Sequence, residues 1–434
     1  MSLTLVGITG IISLLLIIFF LRIPVGFAMA MVGFAGFAWV VNPQAAMGML
    51  ADEVWEVFSS YGLTVIPMFI LMGQISFHAG VNKRLYNAAY VWMGRVRGGM
   101  AMSTILACAG FAAICGSNTA TAATMGTVAL PEMKKYGYSP VLSSASVAAG
   151  ATLGVLIPPS VVLIVIGLQT GQAIGVLFWA ALLPGFLLCL FFLGSIYLLC
   201  LRHPGVAPAG TRTTLREKVR ALKGAVEILI LFALIMVGMI KGFFTPTQAG
   251  AIGSFLALTI GVIGGNLGFR KIYLALTDTL RISAMIMAII LGAVIFGRFL
   301  AVTRLPFELA TIVGELAVPS FVIIILIGLV YILGGAIMDA LALLIITIPI
   351  FFPIAQSMGY DPVWFAVFIT VVTTLGAITP PVGINTYIVA SMGHGASLSG
   401  VFRGVMLFIP CFFLLLFLLI LFPGIAVYLP GLFY

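Results

Sequence analysis

The residues best equipped for chemistry are short oxygen-bearing side chains set beside helix breakers. Gly116-Ser117-Asn118-Thr119 interrupts an apolar stretch that also carries Ser103, Thr121 and Thr124, and Gly150, Thr152 and Gly154 precede Pro158-Pro159. A second set repeats the pattern. Gly334, Gly335 and Asp339 are followed by Thr373, Thr374, Gly376 and Thr379, then Pro380-Pro381 and Asn385. Breaking a helix in hydrocarbon frees backbone N–H and C=O groups, so a break survives where it faces protein, water or a bound ion. Freed carbonyls, hydroxyls and a carboxylate suit a hard cation such as sodium, which prefers oxygen ligands. The positive ends of half-helices suit an anion.

The two sets are related by a constant offset of 222 residues. It links Gly137-Tyr138-Ser139-Pro140 to Gly359-Tyr360-Asp361-Pro362, Pro158 to Pro380, Pro131 to Pro353, Gly171 to Gly393 and Ser117 to Asp339. Two broken helices at matching positions point to a transporter built from internal repeats. Of the 434 residues, 63% are hydrophobic and 7% charged. A soluble domain carries about a quarter charged residues. The chain therefore reads as an all-α polytopic membrane protein, and the alternating strands of a β-barrel are missing. Residues 3–21 lack a basic start and a clear cleavage site, so they read as a retained helix and not a signal peptide.

A path through the bilayer follows from charge. With the N-terminus outside, 3–21 descends to Arg22, 23–41 rises, 44–60 is an acidic surface helix and 63–77 descends. Residues 80–98 form a second surface helix, and 99–132 a hairpin that enters and leaves from the cytoplasm. The interrupted helix 139–169 rises and 173–201 descends. Basic residues 202–224 make a cytoplasmic linker. Then 225–240 rises, 247–265 descends and 272–297 rises. The outer hairpin 318–353 breaks at Gly334-Gly335, the interrupted helix 361–391 descends, and 404–422 ends outside. This path puts 16 of the 20 lysines and arginines in the cytoplasm, as the positive-inside rule requires. The halves then run in opposite directions, as inverted repeats. The net charge of +9 is accounted for in this way without any nucleic-acid partner.

The four breaks are expected to converge near mid-membrane. One sodium site takes Ser103, Ser117, Asn118, Gly150, Thr152 and Gly154. The other takes Gly334, Gly335, Asp339, Thr373, Thr374, Gly376 and Thr379. An anionic substrate is assigned to Ser117, Asn118, Thr119, Pro158, Pro159, Pro380, Pro381 and Asn385. Asp339 is the one acid placed deep in the membrane, where it costs about 2.5–3.5 kcal/mol on insertion scales and so expects a partner. Each Ser or Thr taken singly is as well explained by helix packing, and Arg281 and Arg298 by a structural role. The cysteines (108, 115, 189, 200 and 411) read as packing residues. His78, His203 and His394 lack metal-ligand spacing. An intramembrane enzyme would need a second acid, a zinc motif or a base beside Ser117, and none of these is in place.

At Gly116-Ser117-Asn118-Thr119-Ala120-Thr121-Ala122-Ala123 and Gly150 through Ser160, the chain resembles the large membrane subunit of TRAP transporters, the DctM type. The second half agrees at Asp339, Pro349, Pro353, Gly359-Tyr360-Asp361-Pro362 and Thr379-Pro380-Pro381-Val382-Gly383-Ile384-Asn385. The resemblance covers essentially the whole chain. It implies a sodium-driven importer of small organic acids, such as C4-dicarboxylates or sialic acid, in the bacterial cytoplasmic membrane. It also implies a separate small membrane subunit and an extracytoplasmic binding protein, which the acidic helix 44–60 could touch. The fold implied is similar to that of elevator carriers. Residues 99–201 and 318–400 would move, against a scaffold of 1–98 and 225–317, with 202–224 as linker and 401–434 as the last helix. A stand-alone sodium–carboxylate symporter and the large subunit of the tripartite tricarboxylate family are the alternatives within transport, and a passive pore is the remaining one.

Overall fold

Local sequence sets the helix ends. The computed structural model describes residues 2–21, 23–208, 213–315, 318–393 and 395–433, so Arg22, Arg212 and His394 lie outside the described residues. The first half runs α1 (Leu3–Leu16), α2 (Val25–Val40), α3 (Pro43–Ser59), α4 (Val65–His78), α5 (Val81–Met93), α6 (Gly99–Cys115) and α7 (Asn118–Lys135). It continues through α8 (Pro140–Leu156), α9 (Val161–Thr170) and α10 (Ile174–Arg202). The second half runs α11 (Leu215–Ile240), α12 (Pro246–Ile263), α13 (Phe269–Val302), α14 (Leu305–Glu315), α15 (Ser320–Gly335) and α16 (Ala340–Ser357). It closes with α17 (Pro362–Gly376), α18 (Ile384–Ser391), α19 (Leu398–Val405), α20 (Ile409–Leu421) and α21 (Gly424–Phe433). Side chains of Ser117, Ser160, Asp339 and Asp361 each accept a backbone N–H at the start of the helix that follows. Such caps are worth about 1 kcal/mol each. Seven helical stretches among the described residues are long and apolar enough to cross a membrane, and the bent α19–α20 pair gives an eighth.

The 222-residue offset extends from motifs to elements. Helices α7 and α16 coincide under it end to end, α8 and α17 both begin on the matched prolines, and α2 matches α12 to within two residues. Gly137 and Gly359 both adopt positive φ, as do Gly171 and Gly393. The single long helix α13 corresponds to α3 and α4 together. Two side-chain contacts relate these counterparts. Glu53 on α3 pairs with Arg298, while His78 on α4 lies 3.0 Å from Asp278. Moving forward from residue 53 to 78 therefore means moving backward along α13 from 298 to 278. The counterparts run in opposite directions. Twenty residues of helix separate the two pairs on α13, about 30 Å at 1.5 Å per residue, close to the thickness of a bilayer's hydrocarbon.

One body of the molecule crosses helices from the two halves. Helix α2 packs on α13, and α12 on α4. Glycines permit the approach: a Cβ on Gly292 would clash with the Gly26 carbonyl oxygen, and one on Gly33 would lie 2.7 Å from the Phe296 backbone. Small residues serve this purpose in membrane helix crossings generally. Gly292→Val should cost about 1–3 kcal/mol or more through overpacking. A lowered unfolding temperature in detergent would register it, and an unchanged one would exclude the tight crossing.

The second body is the pair of hairpins, α6–α7 and α15–α16, with the interrupted helices α8–α9 and α17–α18. They interleave: α9 packs on α16, α18 on α7 and α8, and α17 on α8. Helices α19, α20 and α21 pack on α8, α10 and α17, which joins residues 401–433 to this body. The basic stretch 202–224 is not a linker throughout. Its second half is the start of α11, fixed by a capping box in which Thr214 N–H donates to the Glu217 carboxylate at 2.7 Å.

Candidate functional site

The two hairpin tips meet. At the first, α6 ends on Gly116 at φ 63°, and Ser117 caps α7 with its hydroxyl accepting the Ala120 N–H at 3.4 Å. A side chain at Gly116 would be strained in that conformation, and its Cβ would lie 2.7 Å from the Pro159 carbonyl oxygen. At the second, residues 336–339 separate α15 from α16. Gly334 and Gly335 are therefore the last residues of a helix, and the break lies just beyond them. Asp339 caps α16, accepting the Leu341 N–H at 3.0 Å. Ser117 and Asp339, matched by the offset, thus hold the same structural position.

Each tip is tied to its interrupted helix. Val161 N–H donates to the Gly116 carbonyl at 3.2 Å, and Gly383 N–H to the Ala336 carbonyl at 2.9 Å. Matched glycines let the tips seat. A Cβ on Gly154 would lie 2.6 Å from the Ser117 carbonyl oxygen, and one on Gly376 would lie 2.7 Å from the Gly335 backbone.

Between the tips lies a cavity of about 310 Å³, at the lower end of the roughly 300–1,000 Å³ common for small-molecule sites. Ser117, Asn118 and Thr119 line it from the first tip, and Asp339, Ala340 and Leu341 from the second. The N-terminal turns of α7 and α16 both border it, which favours negative charge there. The opposite wall comes from the crossed-helix body: Ile70, Gly73 and Gln74 of α4, and Ile282, Met285 and Ile286 of α13. Those scaffold residues were absent from the expected site. Gln74, a single amide within the apolar stretch 63–77, was the available signal.

The expected ligands divide. Ser117, Asn118 and Gly154 are together at the first tip. Ser103 lies fourteen residues back along α6, about 20 Å away, with its hydroxyl donating to the Gly99 carbonyl at 2.6 Å. Gly150 faces Cys108, and the buried Thr152 hydroxyl is engaged with the Ala149 carbonyl. At the second tip, Gly335 packs on Gly376 and on the Thr373 carbonyl. Gly334 instead faces Leu343, the Thr374 hydroxyl bonds within its own helix, and Thr379 donates to the Gly376 carbonyl at 3.0 Å.

Among the expected substrate residues, Pro158, Pro159, Pro380, Pro381 and Asn385 do not line the cavity. Pro158 and Pro159 are buried behind the first tip, and Pro380 and Pro381 are exposed. Asn385 is fully buried, with its amide 3.5 Å from the Ala148 carbonyl across the two halves and its Oδ1 without a partner among the described residues. Arg298, with Asp52, Glu53 and Glu56, borders a separate open cavity at the other end of α13.

Residues 12–425 match the family model described as "Tripartite ATP-independent periplasmic transporter, DctM component". The chain belongs to the DctM family. It is 32% identical over 383 residues to the C4-dicarboxylate TRAP transporter large permease protein DctM of Pseudomonas aeruginosa, covering 88% of this chain and 89% of that one. It is 30% identical to the sialic acid TRAP transporter large permease protein SiaM of Vibrio cholerae, over 95% of this chain and 96% of that one. The isethionate TRAP transporter permease protein DctMQ of Oleidesulfovibrio alaskensis is 32% identical over 87% of this chain and 60% of that protein. As a DctM-family member, the chain is a multi-pass membrane transport protein and not an enzyme. Its fold is similar to that of the Alcanivorax borkumensis YdaH transporter, with a TM-score of 0.61 and 16% identity over 90% of this chain and 88% of that one. The Neisseria gonorrhoeae MtrF structure gives 0.58 and 14%, over 87% and 85%. At those identities the likeness concerns the fold alone.

Proposed function

We propose that this DctM-family chain is the sodium-coupled permease of a three-part importer that brings a small organic acid anion across the bacterial inner membrane. A separate small membrane subunit and an extracytoplasmic binding protein complete the system. The observation that carries the reading is the cavity held between the two matched hairpin tips, Ser117-Asn118-Thr119 and Asp339-Ala340-Leu341. Donors for an anion surround it: the first turns of α7 and α16, the one hydroxyl proton left over from the Ser117–Thr119 pair, whose oxygens lie 3.1 Å apart, and the Asn118 amide NH2, which has no partner among the described residues while its Oδ1 accepts from Thr119 N–H at 2.8 Å.

The same lining supports coupling to a cation. Among the described residues around the cavity, Asp339 is the one acidic or basic side chain. An anion entering beside it meets like-charge repulsion, and a co-bound sodium removes that repulsion. Asp339 and the backbone oxygens of the tips fit the ligand preference of a hard cation. Because sodium and anion favour the same ordered tips, each raises the affinity of the other.

An elevator motion suits the partition into two bodies. The hairpin body contributes one wall of the cavity and the crossed-helix body the other, so relative sliding would carry the cargo away from α4 and α13. The opposed directions of α13 and α3–α4 suit inverted repeats, with both termini on the periplasmic side. Relatives named for C4-dicarboxylate, sialic acid and isethionate transport support a small organic acid as the substrate.

Uptake of labelled acids into proteoliposomes tests this reading. Transport should need the chain, its small subunit, the binding protein and an inward sodium gradient. Uptake by the chain alone would instead make it a stand-alone symporter, and uptake indifferent to sodium would remove the coupling.

A further inference from the structure

The scaffold wall of the cavity is apolar except at one place. Ile70, Ile282, Met285 and Ile286 offer no hydrogen bond, while the half-buried carboxamide of Gln74 faces the cavity with no partner among the described residues. The adjacent Gly73 explains how it reaches. A Cβ there would lie 3.2 Å from both the Cys115 Cα and the Ile114 carbonyl oxygen. The absence of a side chain at residue 73 thus lets the first tip close against α4, which brings Gln74 alongside Ser117 and Asn118.

We infer that Gln74 is the scaffold's hydrogen-bonding contact to the cargo, and that the cargo is a monoanion whose far end carries a neutral hydrogen-bonding group. This rests on the reading of the cavity as the cargo site and deepens it. The carboxylate of such a molecule is served by the helix N-termini and hydroxyls of the hairpin body. Across the cavity it meets Gln74, which offers a donor and an acceptor but no charge. No cationic side chain lines the cavity among the described residues. A second carboxylate at that wall would therefore be desolvated without a counter-charge, whereas a hydroxyl or amide there is satisfied. Arg281 precedes the first lining residue of α13 but is itself exposed and outside the lining. Because Gln74 belongs to the body that stays behind, its bond to the cargo has to break when the hairpin body moves. It then acts on selection and release, and the hairpin tips hold the cargo throughout.

Three acids of nearly equal length separate the possibilities: 4-hydroxybutanoate, butanoate and succinate. Their apparent affinities are read from thermal stabilisation of the purified large–small subunit complex in sodium, which bypasses the selectivity of the binding protein. The wild type should bind 4-hydroxybutanoate more tightly than either of the others. Gln74→Leu should weaken 4-hydroxybutanoate by about three- to tenfold, the range of one neutral hydrogen bond, and leave butanoate unchanged. Gln74→Glu, which keeps the size and shape of the side chain, should weaken all three acids by placing a second carboxylate near Asp339. Arg281→Gln should change none of them.

Succinate as the tightest ligand, an equal effect of Gln74→Leu on hydroxylated and plain acids, or selective loss of succinate in Arg281→Gln would each overturn the inference while leaving the cavity as the cargo site. If no acid stabilises the wild type and none is taken up by the complete system, the reading of the cavity falls as well.

Discussion

Asp339→Asn lowers the apparent sodium affinity of transport by roughly ten- to a hundredfold. That is the range for losing a hydrogen-bonded or ligating interaction to a charged group, about 1.5–3 kcal/mol. The substitution isolates charge from structure. Asparagine caps a helix about as well as aspartate, so the bond to Leu341 N–H persists and α16 keeps its start. What disappears is the one carboxyl group among the described residues lining the cavity. Uptake measured against external sodium should show a shifted midpoint, and the thermal unfolding of the variant without sodium should stay close to wild type because the cap is kept. A wild-type sodium midpoint in the variant would remove Asp339 from the ion site. A collapse of stability would instead assign it a purely structural role.

Gly154→Val and Gly376→Val should each reduce uptake by tenfold or more, although neither residue lines the cavity. The Cβ atoms would fall 2.6 Å from the Ser117 carbonyl oxygen and 2.7 Å from the Gly335 backbone. The nearest atom in each case is backbone, and although the Thr121 hydroxyl beside Gly154 could turn away, the tip backbone itself must still move. Overpacking of this kind costs about 1–3 kcal/mol, and a displacement of about 1 Å in a positioned site is enough for a hundredfold loss of rate. The two variants should behave alike, because the 222-residue offset puts 154 and 376 in the same role. Wild-type transport in one and not the other would mean that only one tip needs its close seat.

Much of this arrangement was legible because clustered breakers recur at one spacing. Gly116 and Pro158-Pro159 end helices while Pro131 and Pro353 lie inside α7 and α16. It is therefore the shared offset, more than any single glycine or proline, that joined Ser117 to Asp339 before either was seen to cap a helix. Which of the expected ligands the breaks bring together was less readable. Ser103 belongs to the same apolar stretch as Ser117 and carries a suitable oxygen. A helix nevertheless rises 1.5 Å per residue, and fourteen residues remove it from the tip. Pro380 and Pro381 mark the break correctly but face outward, since a breaker says that the chain turns and not toward what.

The scaffold wall was the least legible part. Nothing in the spacing of Ile70 or Met285 distinguishes a cavity wall from lipid-facing surface, since both are apolar. Only Gln74 departs from the surrounding composition. Crossing partners were equally hidden: the approach of Gly292 to Gly26 depends on which helices meet, and periodicity within one helix carries no such information. The start of α11 was available, however, in the capping box of Thr214 and Glu217 ahead of Val219.

The most direct test is a cryo-electron-microscopy map of the chain with its small subunit, recorded in sodium with a transported acid and again in potassium without it. The account predicts density for the acid between the first turns of α7 and α16, against Ser117 and Asn118, and ion density beside Asp339, both lost in potassium. Ligand density beside Arg298 at the far end of α13, with the space between the tips unchanged in the two conditions, would contradict it.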